Sequence, residues 1–332
     1  MTICVLRPGL LMTVQDLGRH GHQHVGLCPG GAMDPISLML SNALVGNDPG
    51  AAALEITVLG PDLEFQGPTL VALVGAEFEA DIPLNRPVMV ERNSHISISR
   101  AARGARGYLA CAGGIAVPEV LGSRSTYLPG GFGGLEGRVL KRGDLLPLAE
   151  NAEQLSRERY DSLKNKRGAS VRWSVPPFSV PDREPIVLHA MDGEHFGDFD
   201  ASMQRVFYDT VWRVAPDSNR MGYRLAGPVL ERAKKDEILS GPTALGTVQV
   251  PANGVPIALM ADHQTTGGYP RIAEIASADV PRLAQIAPGG TVHFARCGLD
   301  MAAELRNDVR NRLQTALRGI AWEYGNKSGT GA

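Results

Sequence analysis

The sequence lacks several features that would place it in a specialised class of proteins. Its 332 residues contain no apolar run near the roughly 20 residues that a membrane-spanning helix needs. Its four cysteines, Cys4, Cys28, Cys111 and Cys297, are scattered without a CxxC pair, which argues against a zinc site or a disulfide framework. The formal net charge is −2, so we expect no nucleic acid and no membrane surface as a partner.

Common signatures of catalysis are absent as well. There is no GxxxxGK[ST] phosphate-binding loop and no GxSxG nucleophile elbow. The N-terminus lacks the basic, apolar and small-residue order of a signal peptide, and we therefore expect a cytoplasmic protein. Without a self-sufficient pair of nucleophile and base, the sequence predicts half of a site, which another protein completes.

The composition and the short apolar runs predict a mainly β protein with a few helices. Glycine (39 residues) and proline (23 residues) are both abundant, which favours a turn-rich β fold. Turn residues separate the apolar runs at the spacing typical of a barrel or sandwich. The clearest predicted strands are residues 69–74, 87–90, 95–99 and 107–112.

Two helices interrupt this pattern. Asp34 is a good N-cap, Pro35 suits the first helical position, and Gly46 ends the helix. From Asp300 onward, apolar residues recur near the helical period, which predicts a C-terminal helix that packs on the second domain or on a partner protein. We expect the tail after Gly325 to be disordered.

A change in composition predicts the domain boundaries. Residues 149–184 are charged and then proline-rich, without a consistent apolar face, which indicates a linker. We therefore expect a first β domain at 1–148, a second at 185–298, and a C-terminal helix with its tail at 299–332.

The two domains look like distant copies of one unit. Asp16-x-x-Arg19-x-Gly21 has the same form as Asp217-x-x-Arg220-x-Gly222, and two later pairs of strands match in the same order. Three ordered matches favour a duplicated β unit, in which Arg19 and Arg220 are equivalent.

The most informative stretch is Met260-Ala-Asp-His-Gln-Thr-Thr-Gly-Gly-Tyr-Pro-Arg271. The apolar run 256–260 predicts a buried strand, and polar side chains of five residues follow it directly. Gly267 and Gly268 let the backbone approach a ligand closely. Two interpretations remain open, a ligand-facing loop and a hairpin turn whose side chains hydrogen-bond locally.

This stretch resembles the signature of the allophanate hydrolase subunit 2 family, the biotin-dependent carboxyltransferase-like group. Further segments that resemble the family occur in the expected order from about residue 7 to about residue 294. They include Gln15–Arg19, Gly30–Asp34, Leu44–Asn47, Leu54–Thr57, Arg106–Ala110, Gly122–Tyr127, Ser218–Leu225 and Gly246–Pro251. Two departures are His189–Gly193 and Leu245-Gly246, where the family usually has Gly-Pro and Pro-Gly pairs.

The resemblance implies a fold of two tandem cyclophilin-like β-barrels, pseudo-duplicated, with a C-terminal helix. It implies an ATP-dependent 5-oxoprolinase complex that cleaves 5-oxo-L-proline, a lactam, to L-glutamate. The partners would be subunits A and B of that complex, the B-type subunit being the closest. ATP, with Mg²⁺, would bind either this chain or a partner.

The family also leaves two other functions open. One is the carboxyltransferase component of a biotin-dependent urea or amide carboxylase, with biotin on another chain, since no biotinyl Met-Lys-Met segment occurs here. The other is a non-enzymatic antagonist of a kinase inhibitor, in which the polar loops shape a protein interface.

Under the oxoprolinase interpretation, candidate site residues gather around the motif. Arg220 and Arg224 are expected to clamp a phosphate or a carboxylate, although surface or interdomain salt bridges explain them equally well. Asp262 and Gln264 would orient water or substrate, and Gln249 would face the same cleft. The remaining candidates are binding residues, namely Thr265, Thr266, Gly267, Gly268 and Tyr269. No metal site is expected. His20, His22 and His24 alternate, but a solvent-facing loop explains them better than a metal.

Overall fold

The computed structural model describes residues 1–167, 171, 173–234 and 236–325, and these form two compact units. Unit 1 consists of Met1–Arg19, Asp34–Val180 and the chain from Asn311, and unit 2 of His20–Met33 and Pro181–Arg310. The units therefore differ from the continuous ranges expected from the sequence, because residues 20–33 belong to unit 2. The tail predicted to be disordered, after Gly325, lies outside the described residues.

Unit 1 is built on a curled antiparallel sheet. The order across it is β2-β3-β7-β4-β1-β8, and β5 pairs with both β6 and β7. Two predicted strands, 95–99 and 107–112, overlap the single long strand β7. The strands are β1 (Thr2–Arg7), β2 (Leu11–Gln15), β3 (Ala53–Thr57), β4 (Asp62–Phe65), β5 (Thr69–Ala80), β6 (Val88–Val90), β7 (Ser94–Cys111) and β8 (Leu145–Pro147).

The first predicted helix is confirmed as α1 (Pro35–Leu44), with Asp34 as its cap. The Asp34 carboxylate accepts a hydrogen bond from the Ser37 amide at 3.1 Å, which satisfies a donor of the first turn. The Asp34 amide donates to the Tyr108 hydroxyl at 2.8 Å, and that hydroxyl donates to Glu55 at 2.7 Å. Burial beside these carboxylates raises the pKa of Tyr108 well above its usual value. A buried polar network therefore fixes the helix start on the sheet.

Part of the predicted linker is instead a helix, α2 (Ala152–Arg167). Its buried side includes Ala152, Ser156 and Leu163. Between them, Arg159 donates to the Val45 carbonyl at 2.9 Å, and burial lowers its pKa. The sequence pattern did not reveal this helix because a serine and an arginine occupy positions where an apolar stripe is expected.

Unit 2 contains a closed barrel of seven strands in the order β10-β11-β14-β13-β16-β9-β17. A separate two-stranded ladder joins β12 and β15. The predicted strand 256–260 is confirmed as β14. The strands are β9 (Ile186–Asp192), β10 (Val211–Val214), β11 (Gly222–Ala226), β12 (Gly241–Pro242), β13 (Thr247–Gln249), β14 (Ile257–Leu259), β15 (Thr266–Gly267), β16 (Arg271–Ile275) and β17 (Thr291–Arg296).

Alternation along the barrel strands decides which side chains are available for a site. Val248 of β13 lies opposite Ala258 and Ala273 and belongs to the buried apolar core. Because successive side chains of a strand point to opposite faces, Thr247 and Gln249 face away from that core. Both are nevertheless buried, so other segments of unit 2 cover the outer face of β13.

The helices of unit 2 are α3 (Ala201–Asp209) and α4 (Val280–Ala284). The predicted C-terminal helix is confirmed as α5 (Leu299–Gly325), whose residues from Asn311 belong to unit 1. The fold is therefore mainly β with a few helices, as expected, and it includes a closed barrel and a C-terminal helix. Among the described residues, no helix is long and apolar enough to cross a membrane.

Candidate functional site

The conspicuous sequence motif forms a segment on the outside of the unit 2 barrel, which we call the motif segment (residues 262–270). It follows β14 and carries β15, which pairs with β12. Asp262 and His263 are buried, whereas Thr266, Gly268 and Tyr269 are exposed. The segment therefore has a buried beginning and an accessible end.

Arg220 and Asp262 form a buried ion pair where the segment begins. Arg220 Nε donates to Asp262 Oδ2 at 2.8 Å, and Arg220 Nη2 donates to Oδ1 at 3.0 Å. Their side chains are only 4% and 1% exposed. Arg220 Nη2 also donates to the Gly31 carbonyl at 2.6 Å, and the Asp262 amide donates to the Arg220 carbonyl at 2.8 Å. The pair thus fixes the path of the chain as it leaves β14.

This geometry bears on two roles expected from the sequence. Arg220 was a candidate clamp and Asp262 a candidate to orient water, but the two bind each other through both carboxylate oxygens. Arg224, the second candidate clamp, lies on the surface and pairs with Asp217 at 2.9 Å. The salt-bridge interpretation therefore describes both arginines in this structure.

Two amide side chains meet beneath the motif segment. Gln264 Nε2 donates to Gln249 Oε1 at 3.0 Å. Gln249 is 1% exposed, and its Nε2 has no acceptor among the described residues. A Cβ added to Gly267 would lie 2.8 Å from this nitrogen, so the chain passes close over it. The predicted grouping of Gln249, Gln264 and Gly267 is therefore present.

Neighbouring donors hold the backbone of the segment. The Gln264 carbonyl accepts hydrogen bonds from Thr243 Oγ1 and from His263 Nδ1, the latter at 2.6 Å. Because a carbonyl only accepts, Nδ1 carries the hydrogen. Burial lowers the pKa of His263, which favours the neutral imidazole. The Thr243 amide donates to the Thr265 carbonyl at 2.9 Å.

Two cavities border this region of unit 2. The first, of about 520 Å³, is lined at the exposed end of the motif segment by Gly268, Tyr269 and Pro270, with Ile238 and Val250. We call it the motif cavity. The second, of about 750 Å³, is lined by charged residues and is called the charged cavity; they include Glu194, His195, Arg232, Lys234 and Arg271.

The cations of the charged cavity already have acidic partners. Arg271 pairs with Glu194 and donates to the Pro242 carbonyl at 2.5 Å. Arg232 and Lys234 both pair with Asp198, at 2.8 Å and 2.6 Å. These contacts lower the pKa of Asp198 although burial opposes them. The cavity is therefore close to charge-balanced, unlike a cradle for a polyphosphate.

Sequence reasoning missed several residues of this region. Arg271 directly follows the motif, so its position was an available signal. Thr243 and Glu194 lie far from the motif in sequence, and no local pattern marks them. Glu274 of β16 was also missed; it accepts from Thr247 Oγ1 at 2.7 Å, and burial raises its pKa.

The cysteines and the alternating histidines stand apart from this arrangement. Burial raises the pKa of Cys111 to about 12, which disfavours the thiolate, and Cys28 is also buried. Among the residues that the structure describes, no cluster of histidine, cysteine or acidic side chains has the composition of a metal site.

Comparison with known proteins places the chain in context. The carboxyltransferase domain family, subdomains A and B, matches residues 25–296. The chain is 40% identical over 329 residues to the C-type subunit of 5-oxoprolinase from Escherichia coli K12, covering 98% of this chain and 99% of that protein. It is 36% identical to the C-type subunit of 5-oxoprolinase from Haemophilus influenzae, covering 89% and 91% of the two chains.

The fold has relatives among solved structures. The Kluyveromyces lactis urea carboxylase matches with a TM-score of 0.83 at 30% identity. That match covers 96% of this chain but only 29% of the larger enzyme, so the similarity is to one part of it. The family match over most of the chain, together with these relatives, shows that the protein belongs to the carboxyltransferase domain family, subdomains A and B.

Proposed function

We propose that this protein is a subunit of an ATP-dependent 5-oxoprolinase complex, which opens 5-oxo-L-proline to L-glutamate with hydrolysis of ATP. The observation that carries the proposal is the 40% identity to the C-type subunit of a 5-oxoprolinase along 98% of this chain and 99% of that one. Similarity from end to end distinguishes this relative from the urea amidolyases, of which the chain corresponds to less than a fifth, 18% for that of Lachancea kluyveri.

The chemistry explains why such an enzyme has several subunits. A lactam is a poor electrophile because amide resonance stabilises it, so its opening needs activation by ATP. Around the motif segment, the cations are matched by acidic partners, and the sequence has no phosphate-binding loop. These residues do not fit a triphosphate with its Mg²⁺. We therefore assign ATP to a partner protein and the lactam to this chain.

The described residues suit the binding and orientation of a neutral, planar substrate. The amides of Gln249 and Gln264 offer hydrogen bonds without net charge. The hydroxyls of Thr265 and Thr266 lie on the same segment, next to the accessible end that borders the motif cavity. The Arg220–Asp262 pair positions this segment and does not contact substrate in our proposal.

The proposed partners are subunits A and B of the complex, with the B-type subunit as the direct neighbour. This follows from the relatives, which are named as the C-type subunit of a 5-oxoprolinase. The sequence has no P-loop and no GxSxG elbow, so another chain has to supply nucleotide chemistry.

A second candidate function is favoured by the structural relatives. The match to the urea carboxylase of K. lactis, with a TM-score of 0.83, supports a carboxyltransferase component that acts on urea or a related amide. In that case carboxybiotin would be presented on another chain, and a biotin carboxylase would replace subunits A and B as the partner.

Reconstitution tests the two candidates against each other. The purified chain is assayed alone and with oxoprolinase subunits A and B, for 5-oxoproline-dependent release of phosphate and formation of glutamate. We expect negligible activity alone and turnover only in the full complex. In parallel, the chain is mixed with a biotin carboxylase, a biotinylated carrier and urea. Glutamate formation by the single chain, or urea carboxylation without oxoprolinase activity, contradicts the proposal.

A further inference from the structure

A buried hydrogen-bond donor without an acceptor lies at the centre of the candidate site. Gln249 is 1% exposed, and its side-chain nitrogen has no acceptor among the described residues. Its oxygen is engaged by Gln264 Nε2 at 3.0 Å, which fixes the orientation of the Gln249 amide. Buried donors in folded proteins are almost always paired, so an exception needs an explanation. An acceptor supplied by a ligand would provide one.

The chain above Gln249 is a short flap, residues 264–268. Gly267 passes so close that an added Cβ would lie 2.8 Å from Gln249 Nε2. The ladder that joins the flap to β12 is two residues long, and one of its residues is Pro242, which has no amide hydrogen to donate. Thr266 and Gly268 are exposed, and Gly268 lines the motif cavity. The flap is therefore a lightly attached cover between the donor and an open cavity.

The surroundings of the donor are electrically neutral. The Asp262 carboxylate is matched by Arg220, with Nε and Nη2 contacts at 2.8 Å and 3.0 Å. Burial lowers the pKa of His263 and favours its uncharged form. Gln249 and Gln264 carry no charge. A neutral acceptor therefore fits this position better than a carboxylate or a phosphate, whose charge would have to be desolvated without a matching cation.

We propose that Gln249 recognises the carbonyl oxygen of an uncharged cyclic or planar amide, which enters when the flap over it lifts. The Gln249 Nε2 then donates to the substrate carbonyl. The oxygen of Gln264, whose nitrogen is already directed at Gln249, accepts from the amide N–H of the ligand. This deepens the proposed function, on which it rests only for the choice of the lactam as first ligand, because urea presents the same two groups.

The first test measures binding to the purified full-length chain by titration calorimetry. The probes are 5-oxo-L-proline, 2-pyrrolidinone, urea and, as a ligand without an amide carbonyl, L-proline. We expect one of the amides to bind and L-proline not to. Gln249→Met keeps the length of the side chain and removes its donor. We expect it to weaken amide binding about tenfold or more, as expected when a polar contact built for a substrate is lost.

A matched control separates binding from folding. Gln204 on α3 donates to the Phe199 carbonyl at 2.8 Å and to the Phe196 carbonyl at 3.1 Å, outside the site. Gln204→Met should lower the melting temperature and leave amide affinity unchanged. A second variant, Gly267→Ala, adds a methyl group against Gln249 Nε2 and should also weaken binding. It tests the flap without altering either glutamine.

The outcomes separate this inference from the proposed function. Wild-type affinity in both Gln249→Met and Gly267→Ala overturns the inference, as does the absence of amide binding by the wild-type chain. Binding of urea but not of 5-oxoproline, lost in Gln249→Met, supports the inference and contradicts the oxoprolinase proposal. In the reconstituted complex, Gln249→Met should raise KM for 5-oxoproline. An unchanged KM, with glutamate still produced, leaves the function standing and refutes the role of Gln249.

Discussion

Breaking the buried Arg220–Asp262 pair should destabilise the protein far more than breaking a surface pair. At contact distance and an effective dielectric constant of about 20, the two charges attract each other by about 4 kcal/mol. Desolvation costs several kcal/mol for each ion, so the intact pair contributes little net stability. Asp262→Ala removes the attraction and leaves Arg220, 4% exposed, without its counterion. We expect the free energy of unfolding to fall by about 3–5 kcal/mol.

The second half of the test is the double substitution. Arg220→Met alone leaves Asp262 uncompensated and should cost about as much as Asp262→Ala. When both are replaced, neither charge is left unpaired. The remaining cost is the Gly31 carbonyl, which loses its donor at 2.6 Å, and is about 1–3 kcal/mol. The double variant should therefore be more stable than either single variant.

Urea unfolding with linear extrapolation measures these differences. The matched control is Arg224→Met, because Arg224 and Asp217 form an ion pair of similar length whose side chains are 45% and 66% exposed. That substitution should change the free energy of unfolding by about 0–1 kcal/mol. If Asp262→Ala costs no more than this control, or if the two single effects add in the double variant, the reasoning about the buried pair fails.

Three further predictions concern stability. Because burial lowers the pKa of His263, the unfolded chain takes up this proton first, so stability should fall as the pH drops below about 6.5; urea unfolding at several pH values should show a shallower fall in His263→Gln. Leu163→Ala, at a 2% exposed position of α2, should cost about 2–5 kcal/mol of unfolding free energy, whereas Leu239→Ala, at a 91% exposed position, should stay within about 0.5 kcal/mol; equal effects would show that α2 does not pack as described. Tyr108→Phe removes the hydroxyl that donates to Glu55 at 2.7 Å and should cost about 1–3 kcal/mol by the same assay; an unchanged midpoint would mean that the network is not important for folding.

The sequence predicted those elements whose local chemistry is complete. Helix α1 was predictable because Asp34 and Pro35 mark its start, and β14 because an apolar run leads into the motif. Helix α2 was not, since Ser156 and Arg159 interrupt the expected apolar stripe and find their partners only after folding.

The candidate site shows the same limit. The sequence indicated which residues gather around the motif, and Gln249, Gln264 and Gly267 do lie together. It did not indicate that Arg220 and Asp262, 42 positions apart, would bind each other. Partner choice among buried charges depends on tertiary packing, and no spacing rule along the chain encodes it.

The interleaving of the two units has a consequence for how the chain reaches this state. Neither unit is a contiguous piece, because residues 20–33 belong to unit 2 although they are made long before the rest of it. Arg220 meets the Gly31 carbonyl across 189 positions, so the ion pair that sets the motif segment is completed late in synthesis. Contacts of such sequence separation slow folding. A chain cut between residues 180 and 181 would leave each fragment without part of a unit, and we expect neither half alone to assemble the candidate site.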